Sequence, residues 1–330
     1  MKKLLLATAV AALSVSAAQA APTVYGKAFL TLDLVEADVD VSGPGGSAEI
    51  NADERTSLNS NASRIGLKGS EALTANTDLL YQLEYGIDVD ANSDQFYSRD
   101  TYLGLQNAQY GKVIAGRLTA IDDYVNFANV TQGGVLGGDN VLASFDAPRV
   151  NNSFAYFTPS YGNMQFMAMY GLDEDNFVDE QNIAGVAGKY AMGPMNAGLS
   201  YIQASGDVIG DFKKAIRVSG NYAVNPALTV GALYQNTDLN TDDNENAFTL
   251  SGEMKTATPW TAYAQADVVS NYGGDKDGDA LRGVVGGKYA INAATTGHVY
   301  GAYLNEEYDD GTNKVDYDGF GIGGGLEYKF

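Results

Sequence analysis

What most constrains this chain is a two-residue alternation of apolar and polar side chains that returns in segment after segment of about ten residues. In 78–88, Leu79, Tyr81, Leu83, Tyr85 and Ile87 share one face, while Asp78, Gln82 and Glu84 share the other. In 22–35, Val24, Ala28, Leu30, Leu32 and Leu34 oppose Lys27, Thr31 and Asp33. In 260–268, Trp260, Ala262, Ala264, Ala266 and Val268 oppose Thr261, Gln265 and Asp267. At the end of the chain, Phe320, Ile322, Leu326, Tyr328 and Phe330 oppose Gly321, Gly323, Gly325, Glu327 and Lys329. Successive side chains of a strand point to opposite faces, so each segment is a strand with one apolar and one wet face.

The connections alternate as well. Short links fall at 71–76, 107–111, 159–163, 192–195, 225–226, 258–259 and 292–297. Longer acidic, Asn- and Gly-rich stretches lie between them, at 36–58, 89–96, 119–148, 172–181, 205–212, 236–246, 270–280 and 305–317. Seven short turns interleaved with eight long loops require about sixteen strands. A β-sandwich also alternates, but its turns do not sort into short and long on opposite sides. The apolar faces quoted carry no Lys or Arg, which would cost about 2–4 kcal/mol at mid-bilayer. Lys189 and Lys214 fall on apolar phases near strand ends, where long side chains snorkel. The pattern predicts an all-β fold, a transmembrane antiparallel β-barrel of about 16 strands with short periplasmic turns and long extracellular loops.

Residues 1–20 are read apart from the barrel, which occupies 21–330. Lys2 and Lys3 form a positive start, the stretch from Leu4 to Ala17 is apolar, and Ala18-Gln19-Ala20 is a small-residue cleavage pattern. They are expected to be a signal peptide that is removed. No later run of about 18 apolar residues exists to form a spanning helix. Forty-one Asp and Glu stand against 20 Lys and Arg, a net charge of −21. Such a chain is unsuited to neutralising nucleic-acid phosphates. There is no cysteine, so an exported chain must rely on strand pairing and packing.

Several motifs in order along the chain resemble the general trimeric porins of Gram-negative outer membranes. Val24-Tyr25-Gly26-Lys27-Ala28 resembles the opening strand of that family, and Ser63-Arg64-Ile65-Gly66-Leu67-Lys68-Gly69 its second. Arg99, Tyr102-Leu103-Gly104-Leu105, Tyr110-Gly111-Lys112 and Gly116-Arg117 resemble the hairpin before its long third loop, and Arg149 with Phe154-Ala155-Tyr156 the strand after it. Tyr328 and Phe330 match the aromatic-ended signal read by the barrel assembly machinery.

The resemblance implies a homotrimer in the outer membrane, in contact with lipid and lipopolysaccharide, passing small hydrophilic solutes and ions by passive diffusion. It implies no cofactor and no enzymatic reaction. It also implies a third loop, here 119–148, folded into the barrel. That loop carries Asp122, Asp123, Asp139 and Asp146 and no Lys or Arg. Lys27, Arg64, Arg99 and Arg149 lie where the family places a basic wall, with Arg117 and Lys68 in phases that could join them. Opposed charges across a narrow aqueous passage screen solutes by sign. The loop departs from enteric members at Gly134-Val135-Leu136-Gly137-Gly138-Asp139, which replaces a Pro-Glu-Phe-Gly segment, so their acidic residue does not transfer.

The net negative charge predicts a cation preference. The alternative is an oligosaccharide channel with Tyr25, Phe29 and Tyr263 as a stacking track, and a further alternative is a structural or adhesive barrel. Asp275, Asp277 and Asp279 alternate like the start of a calcium loop but lack its terminal Glu, so they are weak metal candidates. His298, the single histidine, has no nucleophile motif beside it.

Overall fold

The computed structural model describes residues 21–91, 94–134, 136, 138, 140–174, 182–205, 211–309 and 312–330. The stretch 1–20 and Asp139 therefore lie outside the described residues. The strands are β1 (Thr23–Gly43), β2 (Gly46–Ser60), β3 (Arg64–Thr74), β4 (Thr77–Ile87), β5 (Phe96–Asn107), β6 (Gly111–Thr119), β7 (Arg149–Phe157), β8 (Met164–Gly171) and β9 (Ile183–Met192). They continue with β10 (Met195–Ala204), β11 (Lys214–Ala223), β12 (Leu228–Asp238), β13 (Glu245–Lys255), β14 (Trp260–Ser270), β15 (Asp279–Ala290), β16 (Thr295–Asp309) and β17 (Lys314–Lys329).

Consecutive strands pair antiparallel, and β17 returns to β1 from Lys27↔Lys329 to Ser42↔Lys314. β2 and β3 are two halves of one barrel strand. β1 pairs with β3 over Thr23–Lys27 and with β2 from Leu30 onward. The break at 61–63 is bridged by Ser63, whose Oγ accepts the Phe29 N–H at 2.9 Å, and by Asn61, whose N–H donates to the Phe29 carbonyl. Seventeen segments thus make a closed barrel of sixteen strands, which leaves no backbone edge to desolvate in lipid.

Two stretches read as loops are largely strand. β1 and β2 run on to a turn at 44–45, and β16 and β17 bracket a connection at 310–313. Alternation never stops in 36–41, where Glu36, Asp38 and Asp40 continue the outward phase of Leu32 and Leu34. Above the bilayer the outer face is wet, so the outward residues become acidic while the pleat persists. Acidity hid the strand.

The outward phase is apolar elsewhere: Leu103, Val113, Val186, Leu250, Val285 and Leu326 are all exposed. At the short-turn end aromatic side chains gather, with Trp260 5.1 Å from Tyr289 and Tyr328 6.1 Å from Phe330 between ring centroids. Lys189 corrects its sequence reading. It shares the inward phase of Ile183, Gly185 and Ala187, not the lipid phase of exposed Val186. Lys214 does face outward at a strand end, 3.3 Å from Asp238.

Packing inside the barrel centres on the stretch 120–148, which folds inward and begins with a short 3-10 turn at Ile121–Val125. Ile121, Val125 and Phe145 pack there on inward-facing Ile114, Phe157, Met167, Ile183 and Ile202. Inward residues are apolar where the start of the loop packs on β6–β10, and polar at Arg217, Gln235, Gln265 and Arg282, which hydrogen-bond to the loop backbone.

Candidate functional site

The inner wall of β1, β3, β5 and β7 carries a group of five basic residues. Lys27 on β1 sits opposite Arg64 on β3, and both belong to the inward phase. From β4, Glu84 reaches between them and the next strand. Its Oε1 accepts Arg99 Nε at 2.6 Å, its Oε2 accepts the Tyr25 hydroxyl at 2.9 Å, and Arg64 Nε lies 3.8 Å away. Lys68 stands over the Tyr25 ring, 4.6 Å from its centroid. Arg149 reaches Asp100 Oδ1 at 2.8 Å, and the Thr119 hydroxyl donates to the same oxygen at 2.7 Å. Lys27, Arg64, Lys68, Arg99 and Arg149 thus lie on the inner wall with two carboxylates, Glu84 and Asp100, between them.

Arg117 does not join this group. It follows Val113 and Ala115 on the outward phase at a bulge between Gly116 and Leu118, and it donates to the Asn151 side chain. The extra residue of that bulge lies on β7, so the count along β6 is unbroken and puts Arg117 on the face opposite buried Ile114 and Leu118.

The infolded loop is held to the other half of the barrel. Ser219 Oγ accepts Phe127 N–H at 3.2 Å and also donates to the Val125 carbonyl. Gln265 accepts Val130 N–H at 3.0 Å, and Arg282, itself held by Asp267, donates to the Asn140 carbonyl at 2.7 Å. Glu245 accepts Ser144 N–H at 2.9 Å. At the tip, Asn61 accepts Gly134 N–H at 2.7 Å. Gly134 has φ +72°, and a Cβ there would collide with the Tyr300 hydroxyl.

The loop acids divide. Asp122 and Asp146 converge on Arg217 of β11, at 3.3 and 2.7 Å, and that guanidinium is fully buried. Gln235 also accepts Arg217 Nε at 2.7 Å. These two carboxylates, expected to line the passage, instead tie both ends of the loop to the wall. Burial pushes the Asp122 carboxyl up to about 6 despite the opposing Arg217 charge. Asp123 is exposed within the barrel. Its enclosure among protein groups, and the nearby Asp146, raise its pKa above the ordinary range.

Arg217, Glu84 and Asp100 were not singled out from the sequence. Arg217 could have been, because it sits mid-strand on a polar phase with Ala215 and Ser219 against Ile216 and Val218. The aromatic track does not form: Phe29 and Tyr263 are buried, with Phe29 4.6 Å from the His298 ring centroid. Asp275 is spent on local structure, accepting the N–H groups of Asp277 and Asp309. Among the described residues no three acidic or histidine side chains are arranged to hold a metal ion.

The family model for Gram-negative porins matches residues 7–325. An outer membrane porin protein of Bordetella pertussis is 30% identical over 229 residues, covering 62% of this chain and 60% of that protein. The major outer membrane protein P.IB of Neisseria sicca is 28% identical over 223 residues, 65% of this chain and 59% of that one. The chain therefore aligns with about three-fifths of the length of these relatives. Among solved structures, an anion-selective porin from Comamonas acidovorans superposes with a TM-score of 0.71 at 19% identity, covering 94% of this chain and 99% of that one. OmpT of Vibrio cholerae in a trimer form superposes at 0.66 with 18% identity over 94% and 99% of the two chains.

Proposed function

This chain belongs to the Gram-negative porin family of the outer membrane, and from that premise we propose that it is a general diffusion channel for small hydrophilic solutes whose eyelet favours anions. The observation that carries the reading is the charge balance between wall and loop. On the wall Arg64 and Arg99 share Glu84 and Arg149 takes Asp100, so five cations stand with these two carboxylates, while Asp122 and Asp146 are held by buried Arg217. Asp123 is the exposed acid among the described loop residues at 122, 123 and 146.

The cation preference expected from net charge does not carry to this point. Lys27 and Glu36 lie nine residues apart on one strand, which is roughly 30 Å at about 3.3 Å per residue. The Debye length is about 8 Å at physiological ionic strength, so acids on the outer rim are largely screened from the eyelet. Selection by sign acts where the passage is narrow and the walls are of low dielectric. The Comamonas acidovorans structure of similar fold is described as anion-selective, in keeping with this sign.

No bond is made or broken in this mechanism. Solutes pass between the guanidinium-lined wall and the infolded loop, filtered by size and charge. Association as a trimer is part of the proposal, supported by the trimer form of the Vibrio cholerae structure. The export signal at 1–20 belongs to it too. The test is the reversal potential of the refolded protein in a planar bilayer under a potassium chloride gradient. An anionic sign is expected. A cationic sign overturns the preference, and absence of any conductance overturns the channel.

A further inference from the structure

A second cationic feature lies away from the eyelet, at the short-turn end. Beneath the start of the infolded loop, the inner wall of β6–β9 and the turns beside it enclose a cavity of about 410 Å³. Lys112 from β6 and Lys189 from β9 both line it, and none of its lining residues is Asp or Glu. In a chain with twice as many acids as bases, that composition is unusual. The Lys112 ammonium is held over the Phe157 ring, 4.1 Å from its centroid. Tyr124, from the loop's first turn, meets the same ring edge-on at 5.1 Å and forms the roof. Gln165, opposite Lys189 on β8, and Ser160 supply neutral hydrogen-bonding groups.

Two neighbouring ammonium groups without a carboxylate repel each other, and each retains donors for a ligand. A compact dianion satisfies both at once, since charge-assisted hydrogen bonds are the strong ones. The cavity holds a ligand of several heavy atoms, and the Phe157 and Tyr124 rings give it an apolar side. We propose that this cavity is a binding site for small dianions of the phosphate or dicarboxylate class, entered from the periplasmic mouth and separate from the eyelet. It rests on the channel reading, because its occupant would dwell beside the path of permeating ions.

The experiment uses the refolded full barrel in a planar bilayer, with chloride carrying the current and inorganic phosphate or succinate added to either side. Addition on the short-turn side is expected to reduce chloride current in a saturating manner, at lower concentration than addition on the other side. In a K112Q/K189Q variant that still folds and opens channels, the half-blocking concentration should rise about tenfold or more, the loss of one charge-assisted contact or better. Block by phosphate but not succinate, or the reverse, narrows the ligand within the class and supports the site. Unchanged block in the double variant overturns it, as does block that Arg64→Gln removes and K112Q/K189Q does not. A channel that conducts chloride but ignores both anions overturns the site alone, whereas a silent protein overturns the channel.

Discussion

Glu84 accepts Arg99 and Tyr25 while Arg64 stands 3.8 Å off, so one carboxylate touches three of the groups that shape the basic wall. It holds the guanidinium planes in place and cancels part of their charge at the point where ions must pass. Replacing it with Gln keeps an acceptor for Arg99 and removes the charge. A unit charge at contact distance is worth about 1 kcal/mol even in bulk water. Glu84→Gln should therefore raise the anion-to-cation permeability ratio about five-fold at low salt, and less at high salt. Reversal potentials at two salt concentrations measure this. A ratio that does not move would mean Glu84 contributes no field to the passage. Glu84 was visible in the sequence as one polar position among several. Its importance was not, because the partners come from β1, β3 and β5, and only the strand register brings them together.

At the scale of elements, strands and loop were legible to different degrees for a physical reason. A strand's inward and outward residues follow from a local period of two, so most of the barrel could be read without knowing its neighbours. The misreadings fell at Arg117, which keeps the outward phase of Val113 and Ala115 although its charge suggested the lumen, and at the acidic extensions of β1 and β2, whose charge disguised the count. The loop has no such period. That Asp122 and Asp146, 24 residues apart, meet on one arginine depends on the loop's path, which the chain does not spell out in any short window. The staple has a pH signature. Asp122 has an ordinary pKa of 3.8 and is pushed up to about 6 in the folded state by burial. The folded chain then holds a proton between those values that the unfolded chain has lost, so this group's burial cost, at most about 3 kcal/mol, is present above pH 6 and fades toward pH 4. The barrel should resist heat better near pH 5 than near pH 7.5 as far as this group is concerned. Asp122→Asn should flatten that part of the difference. Heat-modifiability on gels across pH, wild type against variant, reads it, and identical profiles would refute the assignment.

For the whole molecule, what makes sixteen strands a membrane protein is that the last one finds the first. The seam between β17 and β1 runs over sixteen registered pairs and ends one step further, where Phe330 and Gly26 exchange both backbone hydrogen bonds, at 2.9 and 3.1 Å. The Phe330 ring lies against Gly26, where a Cβ would come within 2.3 Å of it, and stacks with Tyr328 in the aromatic belt. Two explanations of a terminal aromatic then separate. If the ring matters as a signal read before insertion, deleting Phe330 slows assembly, while Gly26→Val, which leaves the terminus intact, does not. If it matters as the final rung of the seam, both variants weaken closure, because Val at 26 expels the ring from its place. We expect the deletion to delay the appearance of heat-modifiable barrels in the outer membrane while export proceeds. We expect Gly26→Val to assemble at a normal rate but unfold at lower temperature. Normal assembly and normal heat resistance in both would remove Phe330 from the account of how the barrel closes.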